Sequence, residues 1–465
     1  MAYVHGQRLA TAAEPCTLLL RLAPARHATG VLARPAGLPG SVSETGKAGF
    51  GLPNLKNYCY FPPIQQPVAD VVACELHLRA KPMVSELVSQ RPFATEAGTA
   101  RFVQRHGAVR HAESYRHVGH LHLSTLGIGT YLGAADDQTD AAYREAIVDA
   151  VRRGVNIIDT ASNYRNQRSE RVVGQALGDL TQAGTIYRSE VLVASKVGFV
   201  SLPCTPEGDP RALLHAQTIG RGLCQPDELV AHCHCISADY ITATLQQSRS
   251  NLGLETLDVY YIHNPETQLQ FLERQVVEDR LRQAFVALEA AADRGEIRVY
   301  GLATWSALRA RPEERDWLSL QRIVQLAEEV AGPRHRMRAV QLPLSLTMPE
   351  AVIRNNQPVG NEWVSAIEAA QRLGLVVFAS GSLQQGRLSR NCTLPYELIQ
   401  VPSHMSQPAA RALQFARSVQ GVTSAVVGMA QTAHVVDNLQ LLDHPRADSA
   451  WLQAVIAHTQ SRGCA

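Results

Sequence analysis

From about residue 123 onward, short apolar runs alternate with amphipathic stretches that carry Arg, Glu and Gln. An apolar run of this length is typical of a strand buried on both faces, whereas the stretches repeat their apolar positions at helical spacing. Glycine often follows a helical stretch, as at Gly154 and Gly295, which is typical of a helix C-terminus. The predicted strands are the runs 126–132, 155–161, 191–197, 257–263, 299–305, 339–346, 375–380 and 424–429. The predicted helices between them include 141–153, 240–252, 277–294, 317–330, 363–372 and 407–419.

Strands that alternate with helices predict an α/β fold, with a parallel sheet covered by helices. Eight such units favour a closed (β/α)8 TIM barrel over an open sheet. The widest interval separates the third and fourth strands, so we predict a long insertion at about 199–238. In a barrel this insertion emerges after the third strand, on the face that carries active sites. The barrel is predicted to span residues 91–442, followed by a C-terminal tail at 443–465.

Residues 1–90 show neither a helical nor a strand period, and Gly and Pro interrupt them repeatedly. We predict a poorly ordered N-terminal extension, or a stretch upstream of an internal start at Met83. No acidic residue lies between Glu14 and Glu44 although several arginines do, and this pattern is also typical of an organelle transit segment. A cytoplasmic location is the first expectation, and an organelle is the alternative.

The composition excludes several classes of partner. No apolar run reaches the roughly 18 residues of a membrane-spanning helix, so we expect a soluble protein without a membrane partner. Lys and Arg number 44 and Asp and Glu 42, giving a net charge of +2, which removes the main electrostatic reason for binding nucleic acid. The chain has 9 cysteines at irregular spacing, which favours reduced thiols over a disulfide scaffold. The composition carries no signal for the oligomeric state.

Four polar residues stand at or just beyond the ends of predicted strands, namely Asp159, Tyr164, Lys196 and His263. The C-terminal ends of neighbouring barrel strands converge on one pocket, so these side chains are expected to meet. An ammonium close to a tyrosine favours the phenolate and lowers the pKa of the phenol from about 10. A carboxylate would hold the lysine in place, and a neutral histidine would orient a carbonyl oxygen.

Such a set predicts a general acid for a developing alkoxide, as carbonyl reduction requires. No side chain can donate a hydride, so a nicotinamide cofactor is implied. A Rossmann site is not indicated, because Gly127-Ile128-Gly129 lacks the third glycine of the dinucleotide-binding motif.

Together these motifs resemble the aldo-keto reductase superfamily over about residues 115–442. The resemblance rests on Asp159-Thr160-Ala161-x-x-Tyr164, Ser169-Glu170, Val173-Gly174-x-Ala176-Leu177, Ser195-Lys196 and Tyr261-Ile262-His263. It implies a barrel that binds NADPH, or less often NADH, across the strand ends, and that reduces aldehydes or ketones or runs the reverse reaction. Tyr164 would be the general acid/base, Lys196 and Asp159 would tune it, and His263 would orient the carbonyl.

The resemblance also implies the residues that bind cofactor and substrate. Gln341 would hydrogen-bond the nicotinamide amide, a loop after the seventh strand would hold the pyrophosphate, and a segment after the eighth would hold the adenosine phosphate. The implied cofactor-binding residues are Gly129, Thr130, Thr304, Gln341, Ser382, Leu383, Gly386, Gly428, His434 and Asn438. The implied substrate-binding residues are Tyr131, Asn264 and Trp305.

Several positions depart from the family pattern. Thr304, Leu344 and Gly381 stand where the family usually has other residues. Ala430 occupies the place of a cation that pairs with the 2′-phosphate of NADPH in many members, and His434 would replace it only in part. NADP(H) is therefore the expected cofactor, with NAD(H) as the alternative. The departures also support a second interpretation, a binding or regulatory protein similar to channel-associated members of the superfamily.

Two histidine-rich segments raise the question of a metal. Four possible ligands are consecutive in His232-Cys233-His234-Cys235, but metal sites prefer spaced pairs because adjacent side chains point apart. We predict no metal and interpret this segment as the end of the insertion, with Ser237 as the N-cap of the next helix. An enzyme of different chemistry that uses this cluster is a weaker alternative. His117, His120 and His122 are assigned to an N-terminal hairpin below the barrel.

Overall fold

Strands and helices alternate along the chain in this computed structural model, which describes residues 91–390 and 407–461. The extension predicted for residues 1–90 lies outside the described residues. The strands are β1 (Tyr115–Val118), β2 (Leu121–Ser124), β3 (Leu126–Gly129), β4 (Ile157–Asp159), β5 (Leu192–Val197), β6 (Leu257–His263), β7 (Ile297–Ala303), β8 (Met337–Pro343), β9 (Asn355–Val359), β10 (Glu362–Ser365), β11 (Val376–Ser380) and β12 (Val422–Gly428). The helices are α1 (Glu96–His106), α2 (Asp137–Arg152), α3 (Arg168–Gln182), α4 (Pro210–Gln217), α5 (Ala238–Leu252), α6 (Glu266–Leu269), α7 (Arg274–Asp293), α8 (Leu320–Ala331), α9 (Glu350–Ile353), α10 (Ala366–Arg372), α11 (Arg387–Arg390), α12 (Pro408–Ser418), α13 (Thr432–Leu439) and α14 (Ser449–Ser461).

Eight parallel strands close into a barrel in the order β11-β12-β3-β4-β5-β6-β7-β8, which confirms the predicted (β/α)8 fold. The pairing register aligns Asp159 with Ala194 and Lys196 with Tyr261 on neighbouring strands. Asp159, Lys196 and His263 therefore lie at the C-terminal ends of three adjacent strands. Among the described residues, no helix is long and apolar enough to cross a lipid bilayer.

Both faces of the barrel strands are buried, which explains why the strands appear in the sequence as nearly continuous apolar runs. A large apolar cluster lies between the strands and the surrounding helices. A smaller cluster, which includes Ile157, Tyr261 and Phe378, fills the interior of the barrel. Strands β1 and β2 form the predicted hairpin, in which His117 pairs with His122, and Leu123 joins the interior cluster.

The predicted insertion leaves the barrel after β5 and returns at α5. Its two ends run antiparallel: the Val200 amide donates to the Cys233 carbonyl at 2.7 Å, and the Cys235 amide donates to the Gly198 carbonyl at 2.8 Å. Ser237 is the N-cap residue of α5, as predicted, but its hydroxyl donates to the Leu223 carbonyl at 2.8 Å instead of capping the helix. The insertion therefore folds back on the mouth of the barrel where β5 ends.

Two segments differ from the sequence-based picture. The helix predicted at 363–372 begins only at Ala366, because Trp363 lies on strand β10 of a hairpin and the Ser365 hydroxyl caps the helix. The predicted tail at 443–465 contains helix α14, whose Trp451 and Val455 are buried in the large cluster.

Two glycines one turn apart on α3 allow a direct test of the helix packing. A Cβ atom on Gly174 would lie 2.7 Å from the Leu252 carbonyl oxygen, whereas a Cβ on Gly178 would meet nothing within 4 Å. Gly174→Ala is therefore expected to lower the free energy of unfolding by about 1–3 kcal/mol through overpacking. Gly178→Ala, the matched control, is expected to raise it by about 0.5–1 kcal/mol through helix propensity. Urea denaturation measures both, and equal midpoints would refute the close helix contact.

Candidate active site

A buried ion pair lies at the centre of the barrel mouth. Lys196 is fully buried, and its Nζ atom lies 2.6 Å from Asp159 Oδ2 and donates to the Thr160 carbonyl at 2.9 Å. Gln341 donates from Nε2 to Asp159 Oδ1 at 2.8 Å. Burial lowers the pKa of Lys196, and the charge of Asp159 opposes this shift. The carboxylate is therefore held at both oxygens, from β5 on one side and from β8 across the barrel.

Tyr164 follows β4 in a loop of unusual backbone conformation. The next three residues, Arg165, Asn166 and Gln167, have φ angles of 49°, 56° and 68°. Each non-glycine residue in this region costs about 1–3 kcal/mol, so other contacts must hold the loop. The buried Arg165 guanidinium does so: it pairs with Asp140 and donates to the Ala134 carbonyl at 2.8 Å.

The ring of Tyr164 is surrounded by groups of the predicted site. Lys196 Nζ lies 4.7 Å from its centroid, and the rings of Tyr131 and His263 lie 4.9 and 5.8 Å away. Burial raises the pKa of Tyr164 well above its ordinary value, and the charge of Asp159 raises it further. The sequence-based prediction of a lowered pKa is therefore wrong for this structure. The positive charge of Lys196 is already paired with Asp159, so burial prevails and the phenol keeps its proton.

His263 ends β6 and is neutral. Burial lowers its pKa well below the ordinary value, and the positive charge of Lys196 lowers it further. Its Nδ1 atom is buried and has no hydrogen-bond partner among the described residues. A neutral imidazole carries one N–H group and can therefore donate one hydrogen bond to a substrate oxygen.

Two exposed aromatic side chains predicted to bind substrate lie near this mouth. Tyr131, 49% exposed, follows β3 and contacts the ring of Tyr164. Trp305, 47% exposed, follows β7, and its amide donates to the buried Glu266 carboxylate at 2.6 Å. The third predicted residue, Asn264, follows β6 with a φ angle of 47°, and its amide donates to the Ala303 carbonyl at 2.6 Å. All three residues follow the C-terminal ends of barrel strands.

Four of the predicted cofactor residues, Gly129, Thr130, Thr304 and Gln341, lie on or directly after β3, β7 and β8. Gly129 ends β3, and the Thr130 hydroxyl donates to the Thr160 hydroxyl at 2.9 Å. The Thr304 amide donates to the Gln341 carbonyl at 2.8 Å, which joins the ends of β7 and β8.

The other predicted cofactor residues follow β11 and β12, the strands that separate β8 from β3 in the ring. Ser382, Leu383 and Gly386 form a turn after β11, and the Ser382 hydroxyl is buried without a partner among the described residues. Gly428, the last residue of β12, is exposed. On α13, His434 is exposed and Asn438 is buried. No contact links these residues to Asp159, Tyr164, Lys196 or His263 in the described structure.

Sequence reasoning missed several residues that support the site. These are Asp140 and Arg165, which hold the Tyr164 loop, and Glu266, which holds the Trp305 loop. His234 was considered as a metal ligand and then assigned to the end of the insertion without a role, yet it is fully buried and hydrogen-bonded to protein atoms, whereas His232 is exposed. Within the described residues, no group of three or more His, Cys, Asp or Glu side chains could hold a metal ion.

This chain is similar in sequence to a known protein family and to individual members of related proteins. Residues 125–330 match the family described as Aldo/keto reductase family. A D-threo-aldose 1-dehydrogenase of Pseudomonas sp is 27% identical over 337 residues, covering 69% of this chain and 88% of that protein. A probable voltage-gated potassium channel subunit beta of Oryza sativa subsp. japonica is 24% identical over 353 residues, covering 71% and 91%.

Solved structures show the same fold. An aldo/keto reductase from Klebsiella pneumoniae, in complex with NADP and acetate, aligns with a TM-score of 0.51 at 18% identity, covering 75% of this chain and 96% of that one. A glycerol dehydrogenase from Gluconobacter oxydans aligns with a TM-score of 0.50 at 18% identity, covering 76% and 96%. At this level of identity, the likeness concerns the barrel alone.

Proposed function

We propose that this chain, whose residues 125–330 match the aldo/keto reductase family, reduces aldehydes or ketones to alcohols, or runs the reverse reaction, with a nicotinamide cofactor. The observation that carries the proposal is the convergence on Tyr164. The Lys196 ammonium lies 4.7 Å from its ring centroid, the His263 ring lies 5.8 Å away, and Asp159 pairs with Lys196 at 2.6 Å. These groups suit proton transfer to a carbonyl oxygen.

In the proposed mechanism, Tyr164 is the general acid of the reduction. The neutral His263 donates a hydrogen bond that orients the carbonyl, and the phenol passes its proton to the oxygen as negative charge develops there. The tyrosinate that remains lies beside the Lys196 ammonium, which stabilises it. Asp159 keeps that ammonium charged and in place. In the oxidation direction the same groups act in reverse order. When bound, the nicotinamide would supply or accept the hydride.

The residues around the mouth fit a dinucleotide cofactor. The buried Ser382 hydroxyl has no partner among the described residues, as expected for a group that meets a ligand. It belongs to the turn that we propose for the pyrophosphate, and Gln341 stands beside Asp159 where the nicotinamide amide would be held. We propose NADP(H) as the cofactor, because the Klebsiella pneumoniae structure is described with NADP. NAD(H) is the alternative, since Ala430 offers no cation to a 2′-phosphate.

The potassium channel subunit among the relatives favours a second candidate function. In this alternative, the barrel is a non-catalytic or regulatory binding protein that has kept the family fold. It predicts cofactor binding without rapid turnover.

Titration of the purified protein with NADPH and with NADH, followed by fluorescence, tests the proposal together with turnover on a panel of aldehydes and aldoses. We expect tight binding of NADPH and measurable turnover of at least one small carbonyl substrate. Binding without turnover would favour the regulatory barrel. No binding of either dinucleotide would overturn the cofactor assignment and, with it, the reductase.

A further inference from the structure

The insertion after β5 ends in a buried histidine that reaches the catalytic region. His234 is fully buried, and its Nε2 atom lies 2.8 Å from the backbone oxygen of His263. Gly198 makes this approach possible. It has a φ angle of 147°, and a Cβ atom there would lie 2.6 Å from the His263 oxygen and 2.9 Å from His234 Nε2. The bare backbone at this position therefore leaves room for the contact.

A chain of hydrogen bonds fixes which nitrogen of His234 carries the hydrogen. Arg280 donates to Gln268 Oε1 at 2.7 Å, and Gln268 Nε2 lies 2.9 Å from His234 Nδ1. A guanidinium can only donate, so it sets the orientation of the Gln268 amide and turns the NH2 group toward His234. His234 Nδ1 must then accept, and Nε2 carries the hydrogen that is donated to the His263 oxygen. Burial lowers the pKa of His234 to about 4, which keeps the imidazole neutral.

The peptide that follows His263 is held at both of its polar groups. Its carbonyl accepts from His234, and its N–H, which belongs to Asn264, donates to the Ala303 carbonyl at 2.6 Å. Fixing both groups fixes the peptide plane and so the backbone from which the His263 ring projects. The insertion also contacts the ring itself, because Phe199 lies edge-on between the two imidazoles, 5.0 Å from His234 and 5.3 Å from His263.

We propose that His234 is a positioning residue for the carbonyl-orienting His263, which makes the insertion a working part of the site. Gln268 and Arg280 fix the Nε2–H tautomer of His234. Gly198, which has no side chain, leaves room for His234 to reach the His263 oxygen. The kinetic test of this inference rests on the proposed function. The contact between His234 and the His263 backbone can be tested without substrate.

Substitutions of His234 in the full chain test the proposal, with NADPH and 4-nitrobenzaldehyde as probes. His234→Phe keeps an aromatic ring against Phe199 but removes the donor, and is expected to lower kcat by about 10–100-fold through misplacement of His263. The dissociation constant of NADPH should not change. His234→Gln restores a donor at the end of the side chain and should recover most of kcat. His215→Phe, the same exchange at an exposed position of α4, is the matched control and should behave like the wild type.

A wild-type kcat in folded His234→Phe would overturn the proposal, and so would a His234→Gln variant no better than His234→Phe. If His234→Phe does not fold, Gln268→Met tests the proposal in its place. It frees the tautomer of His234, and a wild-type kcat in this variant would equally overturn the proposal.

NMR of protein labelled with 15N in the histidine rings tests the contact without turnover. We expect the wild-type His234 signal to show the Nε2–H tautomer. The His263 signals should shift in His234→Phe and return in His234→Gln, and unmoved His263 signals would overturn the proposal. A wild type that fails to reduce any aldehyde would refute the reductase alone, and the NMR result would still decide the role of His234.

Discussion

Tyr164→Phe is expected to lower kcat for aldehyde reduction by about 10²–10⁴-fold, the usual contribution of a general acid. In the proposed mechanism the phenol gives its proton to the substrate oxygen, and burial, which raises its pKa well above the ordinary value, keeps it protonated beforehand. A phenylalanine keeps the ring contacts with Lys196, Tyr131 and His263. Cofactor binding should therefore be unchanged. Steady-state kinetics with NADPH, beside a fluorescence titration of the variant, measures both quantities.

Tyr187→Phe is the matched control for this experiment. Tyr187 is 51% exposed and belongs to the segment that connects α3 with β5, so loss of its hydroxyl should leave kcat at the wild-type value. Turnover retained in Tyr164→Phe would contradict the role of the phenol. Equal losses in both variants would show that the effect is not specific to the hydroxyl of Tyr164.

Asp159→Asn should lower the free energy of unfolding by about 3–5 kcal/mol, because it leaves the fully buried Lys196 ammonium without its counter-charge. The double variant Asp159→Asn/Lys196→Met removes both charges and should recover much of this loss. The deficit of the single variant should also shrink as the pH rises. The folded state binds the Lys196 proton more weakly than the unfolded chain does, so stability increases with pH over the range where only the folded state is deprotonated.

Asp179→Asn provides the comparison for the buried pair. Asp179 pairs with Arg144 at 2.6 Å, but the two side chains are 37% and 47% exposed. Its loss should cost only about 0–1 kcal/mol, as is usual for surface ion pairs. Urea denaturation of the variants gives the stability cost of removing each carboxylate. A similar small cost at Asp159 would contradict the buried ion pair.

The barrel, and the strand-end residues that we propose for its site, could be picked out because parallel strands buried on both faces leave a clear sequence pattern. Against continuous apolar runs such as 191–197 and 257–263, the polar residues Lys196 and His263 at the strand ends stand out. Strand boundaries shifted by only a few residues between prediction and structure, for example from 424–429 to Val422–Gly428.

The errors arose where contacts between distant parts of the chain determine the pKa, the secondary structure or the role of a residue. The direction of the pKa shift of Tyr164 depends on burial and on the charge of Asp159, and residue identity does not reveal how deeply the ring is buried. Trp363 suits the apolar face of a helix as well as a strand of a hairpin. The role of His234 depends on Gln268 and Arg280, which lie more than one element away along the chain. The sequence analysis rejected a metal at this segment, but nothing in the sequence indicated that the His234 ring is hydrogen-bonded by the Gln268 amide.

The hydrogen bond from Gln341 to Asp159 joins strands that face each other across the ring, since four steps separate β4 from β8 in either direction. In chain order, the eight barrel strands also fall into two halves, to which we assign different tasks. The groups that we propose to handle the proton all belong to the first half, β3 to β6 and the loops that follow these strands. Most of the residues proposed for the dinucleotide follow strands of the second half, β7, β8, β11 and β12. Cofactor preference can thus evolve, or be redesigned, in one half of the molecule while the proton chemistry in the other stays intact.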